Sequence, residues 1–471
     1  MNNNPSIAEA TQVALIKSTT SKNAVLEGIS KLGGISKFVK EGDLVFIKIN
    51  LRIPGGFPTN TNFGIISSVI SLCTDAGAKE IYVGSFPDQH VKIKALADAL
   101  DLQTLFKKCR AKLLLLDDEG KYSQEIINLN NKEFKVPSAI LRCDKIISIN
   151  QVNVDPLFAC TLNLLNSYSI VSNEAQQIKK NLRVGRDYLH LDQYKKDLIS
   201  NILAVFMIKK PDLAINDLFY VLEGAGPFNY KDSNLKKTNF MVIGNDAVAV
   251  DSITLKLLNV DISKQDLLME ARDKKIGIVD LSEIKLIGED IDKNKLDIKF
   301  CASKLEDVIV KNTDIKKGKL CSGCFNQAYH LLNLMKSKMT KDLKYIERQS
   351  LLIGENPQEP EFLENILIFG DCAINSTKDR TFRRIIIEKG KNLIEKVKNK
   401  IKKEKKKTSK SKTKIISNKQ ILELPGCPPD ILKCISSIIK YYGKDEVPGL
   451  NLYYNLISTY VDFKKIEANN K

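Results

Sequence analysis

The chain has 471 residues, of which 43% are apolar and 27% charged, so it is long enough for two or three domains with buried cores. It contains no run of 18 apolar residues, and its polar start, Met-Asn-Asn-Asn-Pro, lacks signal-peptide character. We therefore expect a cytoplasmic protein without membrane segments, in which the ten cysteines are thiols or metal ligands rather than disulfides.

The net charge of +17 is concentrated in one segment. Residues 389–419 contain 14 lysines and two glutamates, a net charge of +12, and no aromatic residue. Single-stranded nucleic acids are held by aromatic stacking as well as by positive charge, so nucleic-acid binding is not expected here. The composition is typical of a solvated insertion, and the alternative is a docking surface for an acidic redox partner.

The first part of the chain alternates strand and helix patterns. Apolar runs and helical periodicity predict, in order, strand 12–18, helix 23–39, strand 43–51, helix 63–76 and strand 79–85. A strand, a helix and a second strand in this order form a βαβ unit. The pattern predicts an α/β fold with a mainly parallel sheet and helices on both faces.

Polar side chains gather where the strand 43–51 ends. Lys48, Asn50, Thr59 and Asn60 lie at or just after its carboxyl end, where open α/β sheets place their ligands. A cation, amides and hydroxyls facing a helix N-terminus suit an anion, and the alternative is a polar connection that only caps the helix.

More alternating elements follow along the chain. We predict strands at 111–117, 144–150, 212–217 and 240–244, and a helix over 192–209. A further helix begins near residue 245. Its Asp251 is a candidate ligand residue; with Glu223 and Asp246 it could hold a divalent cation, although Asp246 could equally cap the helix.

Four motifs between about residues 40 and 290 carry a family resemblance. They are Val-Phe-Ile-Lys-Ile-Asn-Leu at 45–51, Asp-Ala-Gly-Ala-Lys at 75–79, Glu-Gly-Ala-Gly-Pro at 223–227 and Asp-Ala-Val-Ala-Val-Asp at 246–251. Together they resemble the family known as domain of unknown function 362. The resemblance implies an α/β domain over residues 1–300, in a family whose members are often iron–sulfur proteins.

The C-terminal third contains four cysteines in Gly- and Pro-flanked segments: Cys321 and Cys324 in Cys-Ser-Gly-Cys, Cys372 in Gly-Asp-Cys-Ala, and Cys427 in Pro-Gly-Cys-Pro-Pro. Cys-x-x-Cys lets two thiolates reach one metal from one turn, and nearby glycines let backbone approach a bulky cofactor. Buried strands are predicted at 365–369 and 420–424, ahead of the third and fourth cysteines, and a helix from Pro428 to about Tyr442. The pattern predicts one metal site.

The sequence leaves two alternatives for the bound group, a zinc ion and an iron–sulfur cluster. Four thiolates suit tetrahedral zinc, but zinc sites more often bring two tight cysteine pairs, and only one pair is present, which favours iron–sulfur. The motifs also resemble the proximal [4Fe-4S] site of nickel–iron hydrogenase small subunits. That resemblance implies that Cys321, Cys324, Cys372 and Cys427 each ligate one iron on a flavodoxin-like α/β domain over residues 301–471.

The functional expectation is an electron-transfer or redox component that carries one [4Fe-4S] cluster beside a ligand pocket. The alternative is a structural zinc module, bound by the same four cysteines, with a non-catalytic binding role. His90 is a candidate proton donor and His190 a candidate substrate contact, but spacing alone predicts no catalytic triad.

Overall fold

The computed structural model describes residues 11–88, 91–118, 120–129, 132–172, 193–344, 346–384, 386 and 420–461. These residues divide into two compact units. The larger unit consists of residues 11–172, 196–301 and 457–461, and the smaller unit consists of residues 193–195 and 302–456.

A nine-stranded sheet lies at the centre of the larger unit. Its strands are β1 (Gln12–Lys17), β2 (Leu44–Ile49), β3 (Glu80–Gly84), β4 (Lys112–Leu113), β7 (Lys145–Asp155), β8 (Ala159–Cys160), β9 (Leu213–Glu223), β10 (Asn234–Gly244) and β11 (Lys285–Gly288). They follow the order β11-β1-β10-β9-β7-β2-β3-β4, with β8 paired to β7. Strands β9, β7, β2, β3 and β4 run parallel, whereas β10 is antiparallel to both of its neighbours.

A hairpin and nine helices accompany this sheet in the described residues. The hairpin pairs β5 (Gln124–Leu129) with β6 (Lys132–Pro137). The helices are α1 (Ser21–Lys31), α2 (Phe63–Asp75), α3 (Ile93–Ala99), α4 (Leu102–Lys108), α5 (Ser138–Leu141), α6 (Asn163–Ser167), α7 (Gln193–Ile208), α8 (Ala247–Leu257) and α9 (Asp266–Asp273). Several helices begin at a residue whose side chain accepts a hydrogen bond from the first turn. These N-caps are Thr20 for α1, Asn62 for α2 and Asp246 for α8.

The smaller unit has a four-stranded parallel sheet of its own. Its strands are β12 (Thr313–Lys317), β13 (Gln349–Ile353), β14 (Asn365–Phe369) and β15 (Ile421–Leu424), and they lie side by side in chain order. Its helices are α10 (Ser322–Lys338), α11 (Asp371–Ser376), α12 (Ile431–Tyr442) and α13 (Pro448–Ser458). Buried residues of β13, β14 and α11 pack together, which covers one part of the sheet with an apolar core.

The predicted fold class is confirmed. The larger sheet is mainly parallel and flanked by helices, and β2, α2 and β3 form the predicted βαβ unit with parallel pairing of β2 and β3. A separate parallel sheet follows in the C-terminal part of the chain. No helix of the described residues is long and apolar enough to cross a membrane.

Some element boundaries differ from the predictions. The strand predicted over 111–117 is reduced to β4, and α1 ends at Lys31, well before residue 39. The helix predicted to begin at Pro428 begins at Ile431, because Asp430 accepts a hydrogen bond from the N–H of Lys433 and caps it there. The two prolines therefore belong to the loop after β15.

Candidate functional site

Cys321 and Cys324 lie at the N-terminus of α10. Cys321 is the residue that caps the helix, and its Sγ accepts a hydrogen bond from the N–H of Cys324 at 3.5 Å. Cys324 is buried, while Cys321 is partly exposed. The positive end of a helix dipole favours thiolate over thiol, so this turn is suited to hold negative sulfur.

Cys372 and Cys427 follow the neighbouring strands β14 and β15. The N–H of Asp371 donates to the carbonyl oxygen of Gly426 at 3.0 Å, and the N–H of Gly426 donates to Asp371 Oδ1 at 2.8 Å. These reciprocal bonds fasten the loop of Cys427 to the first turn of α11, which carries Cys372. The two cysteines are thus held on adjoining backbone.

Gly370 connects these two segments to the turn of Cys321 and Cys324. A Cβ atom at Gly370 would lie 3.2 Å from Cys324 Sγ and 3.8 Å from the carbonyl oxygen of Gly426. The residue also has φ of +90°, which favours glycine. All three cysteine-bearing segments therefore meet around Gly370.

The thiol groups influence one another electrostatically. The hydrogen bond between the Cys321 and Cys324 side chains lowers the pKa of Cys321 and raises the pKa of Cys324. Burial and the negative charges of Cys321, Cys427 and Cys372 raise the pKa of Cys324 further. Because neighbouring thiolates repel one another, a cationic group bound among them would stabilise the deprotonated set.

The spacing of these side chains bears on which group would fit. Among the described residues, no three His, Cys, Asp or Glu side chains are arranged to hold a single metal ion. A zinc ion needs each thiolate sulfur at about 2.3 Å, which draws the sulfurs close together. The described residues contain no such shell.

Tyr194 is a residue of this site that the sequence did not reveal. A Cβ atom at Gly323 would lie 2.8 Å from Cδ2 of the Tyr194 ring, so the ring lies directly against the backbone between Cys321 and Cys324. Burial raises the pKa of its phenol to about 12, and the charges of Cys321, Cys324 and Cys427 add to this. Because Tyr194 lies 127 positions before Cys321 in the sequence, no local motif could have indicated it.

In the larger unit, Lys48 lies in the interior of the protein. Its Nζ donates to the carbonyl oxygen of Ile49 at 2.7 Å, to Ser85 Oγ at 3.1 Å and to Asn166 Oδ1 at 2.8 Å. Burial lowers the pKa of the Lys48 ammonium well below its usual value, and the charge of Arg52 lowers it further. The side chain therefore has a neutral partner for each of its three donor positions.

A row of amides links Lys48 to Asp251 across the sheet. Asn50 Nδ2 donates to Asn166 Oδ1 at 3.0 Å and to Asn150 Oδ1 at 3.3 Å. Asn150 Nδ2 donates to Asn216 Oδ1 at 2.8 Å, and Asn216 Nδ2 donates to Asp251 Oδ1 at 2.9 Å. We call Lys48, Asn50, Asn150, Asn166, Asn216 and Asp251 the amide row.

Asp251 ends the amide row by capping α6. Its two carboxylate oxygens accept from the N–H groups of Asn163 and Leu164, each at 2.9 Å. Burial raises its pKa to about 7, and these hydrogen bonds oppose the rise. Its predicted cation partner Asp246 instead caps α8 and accepts from the N–H of Ile278.

The remaining predicted ligand residues lie in the loop after β2. Asn60 Oδ1 accepts from the N–H of Arg52 at 2.7 Å, and Asn60 Nδ2 donates to the carbonyl oxygen of Ile53 at 2.9 Å, which closes the loop on itself. Thr59 is buried in the same loop. Most of the five predicted side chains thus hydrogen-bond to protein atoms, and a ligand would have to replace some of these bonds.

Three sequence predictions lie outside the described residues. They concern His90, His190 and the lysine-rich segment at 389–419.

Comparison with known proteins gives a family match and a distant structural likeness. No curated protein matches the sequence. Among solved structures, the lactate racemase apoprotein from Thermoanaerobacterium thermosaccharolyticum is similar at 8% identity and a TM-score of 0.30, over 73% of this chain and 69% of that one. Residues 45–256 match the model of the family described as "Domain of unknown function (DUF362)", which supports the resemblance carried by the motifs between residues 40 and 290.

Proposed function

We propose that the protein is an iron–sulfur electron-transfer protein whose smaller unit holds one [4Fe-4S] cluster through Cys321, Cys324, Cys372 and Cys427. The observation that carries this proposal is the meeting of three cysteine-bearing segments around Gly370. Those segments are spread over 107 residues of the chain, and a Cβ atom at Gly370 would lie 3.2 Å from Cys324 Sγ, which is tighter than most Cβ contacts.

The cysteine pattern favours a cluster over zinc. Zinc sites more often bring two tight cysteine pairs, and only one such pair, Cys321 and Cys324, is present. A cubane of four irons is larger than one ion, so its four thiolates stand farther apart than those of a zinc site. The motif resemblance to the proximal cluster site of nickel–iron hydrogenase small subunits supports the same choice.

The residues of the chain have distinct roles in this proposal. A bound cluster would supply one-electron transfer, which needs no acid or base beside it. The N-terminus of α10 stabilises the thiolates of Cys321 and Cys324. The bonds between Asp371 and Gly426 hold the segments of the other two cysteines at a fixed separation.

The test is anaerobic reconstitution followed by iron analysis, sulfide analysis and a visible absorption spectrum. We expect about four irons and four acid-labile sulfides per chain in the natural protein. Cys372→Ala should lower both contents sharply. Cys434→Ala is the matched control, because Cys434 is 2% exposed on α12 and is expected to have only a packing role. One zinc per chain without labile sulfide would refute the cluster and leave the structural zinc module.

A further inference from the structure

The four cysteines differ in how far they are covered. Cys324 is buried, Cys321 and Cys427 are partly exposed, and Cys372 is exposed. The Tyr194 ring lies against Gly323, in the turn between Cys321 and Cys324. Tyr194 therefore stands beside the more covered cysteine pair of the site.

The contact between Tyr194 and Gly323 is close and specific. A Cβ atom at Gly323 would lie 2.8, 3.0 and 3.0 Å from three carbons of the ring. Real Cβ contacts are longer than these, so only glycine at position 323 lets the ring rest there. The glycine of the Cys-Ser-Gly-Cys turn is thus required by an aromatic side chain from a distant part of the sequence.

We propose that Tyr194 is a positioning residue that shields the cysteine-bound cluster from water. The proposal rests on the proposed function, because it assigns Tyr194 a role toward the same cluster. Its ring covers the turn of Cys321 and Cys324, and it leaves Cys372 as the exposed corner of the site.

Two measurable properties follow from shielding. A reduced cluster carries one more negative charge than an oxidised one, and water stabilises that charge better than an aromatic ring does. Removal of the ring should therefore raise the reduction potential. It should also admit oxygen and chelators to the cluster, which shortens the lifetime of the cluster in air.

The experiment compares the reconstituted natural protein with Tyr194→Ala and Tyr194→Phe. We expect Tyr194→Ala to lose its visible absorption in air several-fold faster and to have a higher midpoint potential in an anaerobic redox titration. Tyr194→Phe keeps the ring and should behave like the natural protein. Tyr453→Ala is the matched control, since burial also raises the pKa of this phenol to about 12 but no cysteine contributes.

A second pair of variants tests the contact itself. Gly323→Ala should displace the ring and so speed bleaching, whereas Gly323→Ala added to Tyr194→Ala should change little more, because the ring it would displace is already gone. Equal bleaching and equal potentials in Tyr194→Ala and Tyr453→Ala would overturn the shielding role. Absence of iron and sulfide from the natural protein would instead overturn the cluster, so the two failures are distinguishable.

Discussion

Replacing Asn216 by leucine removes the member of the amide row that contacts Asp251 while keeping a side chain of similar size. Four hydrogen bonds disappear. Asn216 Nδ2 no longer donates to Asp251 Oδ1 or to Thr254 Oγ1, both at 2.9 Å, and Asn216 Oδ1 no longer accepts from Asn150 at 2.8 Å or from Asn163 at 2.9 Å.

The loss in the free energy of unfolding depends on which hydrogen bonds the partners of Asn216 keep. Asn150 Nδ2 still donates to the carbonyl oxygen of Thr161, and Asp251 Oδ1 still accepts from the N–H of Asn163. The side-chain Nδ2 of Asn163 loses its bond to Asn216 Oδ1 and keeps only an interaction with the Asp251 carboxylate, which itself loses one of its donors. An unsatisfied buried polar group costs about 1–3 kcal/mol, so the expected loss is about 2–4 kcal/mol in the free energy of unfolding.

Urea unfolding followed by far-ultraviolet circular dichroism measures this change, since the chain has no tryptophan to report on folding. Asn128→Leu is the control, because Asn128 is exposed on β5 and should change the free energy of unfolding by no more than about 0.5 kcal/mol. If Asn216→Leu is no less stable than Asn128→Leu, the hydrogen bonds of the amide row do not stabilise the larger unit and the reasoning fails.

Three further predictions follow from the structure. Burial raises the pKa of Asp217 to about 7, whereas a carboxyl of the unfolded chain has a pKa of about 4. The folded state therefore favours the protonated carboxyl. This contribution to the free energy of unfolding is fully present below about pH 4 and is lost as the pH rises through about 7. Asp217→Asn should therefore flatten this part of the pH profile and be the more stable form at about pH 8, and an unchanged slope in thermal melts would contradict this. Gly370→Ala should lower iron content after reconstitution more than Gly34→Ala does, because both positions have positive φ but only the first lies against a sulfur; equal loading would refute the close approach. Deletion of residues 402–414 should slow electron exchange with an acidic carrier protein at low salt and have little effect at high salt, and unchanged rates in stopped-flow mixing at low salt would remove the docking role.

Periodicity predicted the elements whose residues pack in regular patterns. The strand predicted over 43–51 is β2 (Leu44–Ile49), and the helix predicted over 63–76 is α2 (Phe63–Asp75). Both lie close to their predicted bounds, since the first is a largely apolar run and the second has a clear cap at Asn62. The hairpin of β5 and β6 was not predicted. Its strand β5 is largely exposed, whereas β6 alternates buried Phe134 and Val136 with exposed Glu133 and Lys135, a short pattern that the sequence analysis did not use.

The cysteine motifs were visible in the sequence because ligand spacing is a local property. Their glycines were visible as well, but the reason for each glycine was not. Gly370 makes room for Cys324 Sγ and Gly323 makes room for the Tyr194 ring, and both partners lie far away along the chain or across the fold. A glycine in a motif shows that something approaches closely, and only the fold shows what it is.

Asp251 shows why residue type alone could not distinguish a carboxylate that binds a ligand from one that orients neighbouring side chains. Its two oxygens accept from backbone N–H groups, so an ionised Asp251 can only accept from Asn216, and this fixes which way the Asn216 amide is turned. The turned amide presents its oxygen to Asn150, and Asn150 in turn presents its oxygen to Asn50. One buried carboxylate thus orients the amides from Asn216 to Asn50, and Asn50 and Lys48 both donate to Asn166 Oδ1, where the direction of donation reverses. Burial disfavours the charged form at both ends of the row, since it lowers the pKa of Lys48 and raises the pKa of Asp251 to about 7, and the hydrogen bonds of the row give each buried polar end group its partners.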